Sequence, residues 1–337
     1  MPTLDVACFG EVLWDLFEVR SAAAPSGGSA LYTRELGGAP ANVATALARL
    51  GVKASIVGGI GKDRFGDELA ALLAGEGVET RHLVRLPNRT GITFVHRDAR
   101  GEPSFLFYRH ESADSVLGRA HMKLEMGKAR FGLVGTSTLM TPGLRSATLA
   151  FTSALAKARG ALVVDLNVRA HLWPDKDEMR AQIAALVARA AVVKASHADL
   201  EAVAGRRGLP WLEENARNAT WVLTRGEGGA TAVGIHGEVK APSRSSVCVD
   251  ATGAGDAFLA GLLAVLVRAQ AWPRTAAFGD AKLWSRAMEA GHMMGARAVS
   301  AVGAVTGLTK LDEVRTHIQS SGSATSTRRR PAPRRGK

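Results

Sequence analysis

Cysteine is nearly absent: Cys8 and Cys248 are the only two in 337 residues. Two thiols exclude a disulfide framework and read as small buried hydrophobes. No apolar run approaches the roughly 20 residues of a membrane span. The segment 1–10 carries no Lys or Arg and no signal-peptide pattern, so a cytoplasmic protein is expected and the sequons at Asn88 and Asn218 carry no weight. His96, His110, His171 and His197 lack metal-ligand spacing, which leaves no zinc site. No fixed-period repeat marks a solenoid. The glycine-rich run Gly58 to Gly66 contains neither the Gly-x4-Gly-Lys-Ser/Thr loop nor the Gly-x-Gly-x-x-Gly fingerprint.

What is present is the balance of a soluble globular protein with a large core, 46% hydrophobic and 22% charged. The net charge of +12 is unevenly spread, because Arg328, Arg329, Arg330, Arg334, Arg335 and Lys337 supply half of it. A Ser/Pro/Arg segment cannot bury enough apolar surface to fold, so 320–337 is expected to be a disordered basic tail. It is either a solubilising extension or a nonspecific contact for polyanions. No membrane and no specific nucleic acid is expected as a partner.

Short apolar strands alternate with helical stretches. Strands are predicted at 4–9, 54–57, 132–134, 161–166, 191–194 and 221–224. Helices are predicted at 41–50, with Pro40 in the first turn and Gly51 at the stop, at 66–75 and at 179–191. This order predicts an α/β fold with a doubly wound, mostly parallel sheet and helices on both faces. Ligands then sit at the carboxyl ends of the strands. Two stretches interrupt the pattern. Segment 14–36 is polar and rich in Gly, Ala and Ser. Segment 90–109 reads as a hairpin, with Ile92 and Phe94 in one arm, a turn at 98–101, and Phe105, Phe107 and Arg109 on one face of the other. Inserted strands from about 12–36 and 88–112 suggest a small β lid on a domain spanning 1–319. Segment 253–268 predicts a helix that is apolar nearly all round and therefore buried between layers.

The motif Asp250-Ala-Thr-Gly-Ala-Gly-Asp-Ala-Phe258 opens that helix. Its small residues leave backbone N–H groups uncovered at a helix N-terminus, a receptor for an anion such as phosphate. Asp256 in the first turn is either a cap or a base for an attacking hydroxyl. The helix dipole should keep it ionised with a low pKa. In Leu36-Gly-Gly-Ala-Pro-Ala-Asn42, the glycines permit close approach of a ligand. Asn42 can both donate to and accept from sugar hydroxyls, or simply cap a helix.

These two stretches, some 200 residues apart and in the expected order, resemble the signatures of the PfkB family of carbohydrate kinases, which has the ribokinase-like fold. The resemblance runs from about residue 7 to 308. It implies ATP-dependent phosphorylation of a sugar hydroxyl, with Asp256 as catalytic base and Gly253, Ala254 and Gly255 as the anion hole. It implies sugar binding by Asp15, Gly37, Gly38 and Asn42. Thr224, Gly226 and Gly229 resemble the loop that contacts ATP. Ser196 and Asp199 stand where the family has Asn-x-x-Glu, a motif tied to the Mg²⁺–phosphate network, so both ends differ here. Asp250 and Thr252 fall where many members bind a monovalent cation, which makes K⁺ a candidate beside ATP and Mg²⁺. His292 replaces an Asn usual near the adenine. Pairing of lids implies a homodimer.

Within the family, Ser104 to Arg109, Ser112-Ala-Asp114 and the run Asp165-x-Asn167-x-Arg169-x-x-Leu-Trp173 resemble bacterial fructokinases. On this likeness Arg109 reaches the sugar from the lid, Arg169 lies near the phosphates or the reacting end of the sugar, and Asn167 contacts ATP. Kinases of 2-keto-3-deoxygluconate share much of the pattern, and ribokinase is a further alternative. A nucleoside kinase is disfavoured by Arg109 and the polar pocket. From another class, a non-catalytic sugar sensor is opposed by retention of Gly253, Gly255 and Asp256.

Overall fold

A computed structural model describes residues 4–19, 31–97, 103–123 and 129–320. The expected turn at 98–101 and the tail beyond Ser320 lie outside these residues. In chain order the strands are β1 (Val6–Phe9), β2 (Leu13–Glu18), β3 (Tyr32–Gly37), β4 (Ala54–Gly61), β5 (Glu79–Leu86), β6 (Gly91–Arg97), β7 (Pro103–Tyr108), β8 (Phe131–Gly135), β9 (Ala161–Asp165), β10 (Val192–Ser196), β11 (Thr220–Thr224), β12 (Ala230–Gly234) and β13 (Gly237–Ala241). The α-helices are α1 (Ala39–Arg49), α2 (Arg64–Gly75), α3 (Pro142–Lys157), α4 (Lys176–Val187), α5 (His197–Ala204), α6 (Gly208–Asn215), α7 (Ala254–Arg268), α8 (Ala281–Ala298) and α9 (Asp312–Ser320).

Nine strands form a central sheet in the order β13-β12-β11-β10-β9-β8-β1-β4-β5. From β11 to β5 all neighbours are parallel, and β12 and β13 add an antiparallel edge. The apolar side chains of α1, α2, α7, α8 and α9 cover one face. Those of α3 to α6 cover the other. The doubly wound expectation is met, with the reversal of strand order at β1, between β8 and β4. A crevice opens at the carboxyl ends of strands beside such a switch.

Helix α7 is buried from Asp256 to Leu266 and packs against α1 and α8. Each fully buried Leu, Val or Phe contributes roughly 1.5–3 kcal/mol. A rod clamped on all sides fixes where its N-terminus lies, and that end points into the crevice.

The remaining four strands form a second sheet, β3-β2-β6-β7. β6 and β7 are the expected antiparallel hairpin. The two-residue period of the strands splits its aromatics: Phe105 and Phe107 line an interior cavity. Phe94 instead meets Tyr32 and Tyr108 edge-on, at 5.2 and 5.3 Å between ring centres. Tyr108 is exposed, so Phe94 belongs to the outer face. One cysteine departs from expectation. Cys8 is buried in β1, whereas Cys248 is exposed, in a segment that links β13 to α7 without joining either core.

Candidate active site

The chain leaves several parallel strands at one edge and there delivers its polar residues. β1 leads to Glu11, β8 to Ser137, β9 to Asn167 and Arg169, and Lys194 lies near the end of β10. These side chains, with Asp15, Thr93 and Arg109 from the lid and Gly253, Gly255 and Asp256 from the start of α7, line one cavity of about 220 Å³. That is below the roughly 300–1,000 Å³ of drug-sized sites and suits a single small polar molecule.

The Asn42 side-chain amide donates to Asp256 Oδ2 at 2.9 Å. The other end of the amide, Oδ1, is buried with no partner, as is Thr93 Oγ1. Unpaired buried polar atoms are costly, and both of these belong to residues that line the cavity. Two glycines make room. Gly38 has φ +96° and a Cβ there would lie 2.3 Å from the Glu11 carbonyl oxygen. A Cβ on Gly37 would meet the Asp15 carboxyl carbon at 2.5 Å.

Arg109 reaches the cavity from the lid, held by Asp114, whose Oδ2 accepts from its Nε at 2.8 Å. The Ser112 hydroxyl donates to Asp114 Oδ1. Arg169 lies with its guanidinium 5.4 Å from the ring centre of Phe105, so lid and body meet through a cation–π contact.

Burial raises the pKa of Asp256, opposed by the Asn42 amide, Lys194 and Arg169. The low pKa expected from the helix dipole is therefore corrected: removal from water is the largest influence on this carboxyl and raises its pKa. Burial, and then the charge of Asp256, lifts Asp15 well above the ordinary carboxylate range. A folded-state pKa above the unfolded value makes protonation stabilising. The stability of the ligand-free protein should therefore rise as pH falls from the raised folded pKa of Asp15 towards the unfolded value near 4. Asp15→Asn should raise the melting temperature at neutral pH and flatten this dependence, while raising the sugar KM about tenfold or more through lost charge-assisted hydrogen bonds. Calorimetry from pH 5 to 8 reads the first effect and initial rates the second. An unchanged melting temperature would remove the claim of a strained carboxylate.

Sequence reasoning missed Lys194, Glu11, Ser137 and Thr93. The Lys194 ammonium is buried and donates to both oxygens of Asp165, at 3.0 and 3.1 Å. A Cβ on Gly255 would lie 2.7 Å from its Nζ, so the cation abuts the start of α7. Burial works against this ammonium, but Asp165, Asp199 and Asp256 outweigh it and raise its pKa. The available signal was a lysine inside the apolar run Ala191-Val-Val-Lys-Ala195, since lysine is almost never fully buried unpaired. Glu11 is fixed by the Ser137 hydroxyl, which donates to its Oε2.

The remaining expected nucleotide residues lie apart from the cavity. Ser196 and Thr224 are paired neighbours at the ends of β10 and β11. Gly226 and Gly229 have φ +52° and +81° in the loop that follows. A Cβ on Gly229 would meet the Ala241 carbonyl oxygen. His292 packs edge-on against Phe258, 5.0 Å between ring centres, and burial lowers its pKa. These residues form a second cluster along the same sheet edge, reaching α7 through Phe258.

Asp199 does not line the cavity. Its oxygens accept from the Ser196 N–H, the Ser196 hydroxyl and the Val168 N–H, capping α5 and pinning the loop after β9. A carboxylate so occupied does not fit a direct metal ligand. Asp250 is wholly buried. Its oxygens accept from the Thr252 and Gly303 N–H groups, and Thr252 Oγ1 is buried without a partner. That orphaned oxygen beside a buried charge fits a cation.

Residues 3–311 match the pfkB family of carbohydrate kinases. Fructokinase-1 of Oryza sativa subsp. japonica is 35% identical over 317 residues, 90% of this chain and 94% of the rice protein. Fructokinase from Vibrio cholerae, solved with fructose, ADP and calcium, superposes with a TM-score of 0.82 at 29% identity, over 94% of this chain and 99% of that one. Aminoimidazole riboside kinase from Salmonella enterica, solved with aminoimidazole riboside and an ATP analogue, superposes with a TM-score of 0.78 at 27% identity, over 93% and 99%. The sheet with its β lid is thus the ribokinase-like fold. Because the match takes in both sheets and the cavity between them, the chain belongs to the pfkB family of carbohydrate kinases.

Proposed function

We propose that the chain is an ATP-dependent fructokinase, which converts fructose to fructose 6-phosphate. The carrying observation is Asp256. It lies buried at the first turn of α7, bonded to Asn42 and facing a small cavity with unpaired polar atoms. The sugar hydroxyl attacks the γ-phosphorus of ATP and its proton passes to Asp256. The new O–P bond forms as the bond to the β–γ bridging oxygen breaks, and the electron pair leaves with ADP. The Gly255 N–H and the Lys194 ammonium offset the charge on the transferring group, while the Ala254 N–H donates to the Ala251 carbonyl oxygen at 3.3 Å. Asp15, Asn42 and Arg109 orient the sugar, while Phe105 and Phe107 cover it and exclude water. Thr224, Gly226, Gly229, Ser196, Asn167 and His292 are assigned to the nucleotide.

Mg²⁺ enters with the ATP substrate, carried by its phosphates. Asp250 and Thr252 would hold a monovalent cation such as K⁺, which would neutralise Asp250 and steady the turn before the anion hole.

An ADP-release assay with fructose, 2-keto-3-deoxygluconate, ribose and adenosine tests the substrate. Fructose should give a kcat/KM at least tenfold above the others. A tenfold preference for 2-keto-3-deoxygluconate or ribose would reassign the sugar and keep the kinase.

The outer lid face exposes Leu106 and Tyr108, with Tyr32 beside them, an apolar patch suited to a second copy of the lid. Tyr108→Asp should convert a homodimer to a monomer in sedimentation experiments, and a monomeric parent protein would refute the dimer.

A further inference from the structure

Lys194 and Asp165 are register partners on adjacent strands β9 and β10. Both follow by two residues a side chain, Val192 or Val163, that packs against the α1–α7–α8 layer. The period of two therefore turns Lys194 and Asp165 towards the start of α7. Asp165 is absent from the wall of the 220 Å³ cavity, whereas Lys194 is part of it. The carboxylate thus stands behind the ammonium, beside a smaller void that it shares with Glu11, Ser137 and Asn167. Burying such a pair is commonly no more stable than an apolar pair of the same shape, so stability alone does not account for it.

We infer that Asp165 is a positioning residue for phosphoryl transfer, holding the Lys194 ammonium against the Gly255 backbone so that it meets the transferring group as the β–γ bridge breaks. The inference rests on the kinase reading above. The charged groups facing the pair are Asp199 from the first turn of α5 and Asp256 from the first turn of α7. Burial, which Lys194 only partly offsets, brings the pKa of Asp165 to about 6, and Asp199 and Asp256 push the same way. Above that pH the carboxylate is ionised and supports the ammonium. Without Asp165, Lys194 keeps the burial that disfavours its charge and loses its nearest anion. It must then release its proton at lower pH.

The test is a double-mutant cycle of Asp165→Asn and Lys194→Met, with kcat, both KM values and the pH profile of kcat measured on the full chain. Lys194→Met should lower kcat about 100-fold. Asp165→Asn should lower it about tenfold with the fructose KM within twofold, and should move the alkaline decline of kcat to lower pH by a unit or more. In the Lys194→Met background, Asp165→Asn should cost nothing further. The double variant carries no buried charge at this pair, so it keeps the cycle readable if Lys194→Met alone folds poorly. Additive losses, or an alkaline limb that stays in place, would overturn the positioning role. A parent enzyme that releases no ADP with any of the four substrates would instead sink the kinase reading.

Discussion

Asp256→Asn should lower kcat by about 10²–10⁴-fold, the range for loss of a positioned general base, while leaving the Kd for fructose within a few-fold. The two carboxamide atoms occupy the space of the carboxylate, and the Asn42 amide, now 2.9 Å from Asp256 Oδ2, can still donate to the amide oxygen. Shape and cavity are retained, and the ability to take up a proton is lost. The raised pKa sharpens the expectation. A base must be ionised to act, so kcat of the parent enzyme should fall as pH drops through the elevated pKa of Asp256, whereas the residual kcat of the variant should lack that acid limb. Single-turnover rates with fructose and ATP, joined to calorimetric titration of fructose, separate the effects. Full turnover in the variant would remove Asp256 from the mechanism. Loss of fructose binding with unchanged kcat would make it a substrate anchor.

Much of this was legible in the sequence because it is local. The rod at 254–268 is apolar on nearly every side, and the small residues before it mark a junction where backbone N–H groups can stay open. The lid hairpin shows its period of two in Phe105 and Phe107. What was not legible depends on distance. Asp256 is taken out of water by a cavity wall assembled from β2, β7, α1 and the strand ends, and no window around residue 256 contains that wall. The dipole argument used the one neighbour visible in sequence, its own helix, and so gave the wrong direction for the pKa. Lys194 becomes intelligible only when Asp165, 29 residues earlier, is placed on the next strand. The capping role of Asp199 was hidden for the converse reason. Its capping bonds within 196–199 are local, but the bond from Val168 N–H crosses to another strand end. Cys248 looked apolar because Val247 and Val249 flank it, yet Val247 is 83% exposed.

Gly253 carries the second large effect. Its φ is +74°, and a Cβ there would lie 2.4 Å from the Ala304 Cβ and 2.5 Å from the Ala304 Cα. The strain of a left-handed non-glycine residue costs about 1–3 kcal/mol, and the collision adds to it because the partner is backbone. That backbone cannot yield freely, since the adjacent Gly303 N–H donates to Asp250 Oδ2 at 2.8 Å, within the same turn. Relief therefore has to come from moving the turn, and with it the Gly255 N–H. Gly253→Ala should reduce kcat on the order of 10²–10³-fold, the cost of a displaced oxyanion donor. Gly51→Ala is the control. Gly51 has φ +80° but nothing within 4 Å of its would-be Cβ, so that variant should lose about 1–3 kcal/mol of stability and keep its kcat. Equal kcat in the two variants would mean that the strain at Gly253 is only structural. A selective loss in Gly253→Ala ties turnover to the position of one backbone N–H group, set by how closely one turn of chain can approach residue 304.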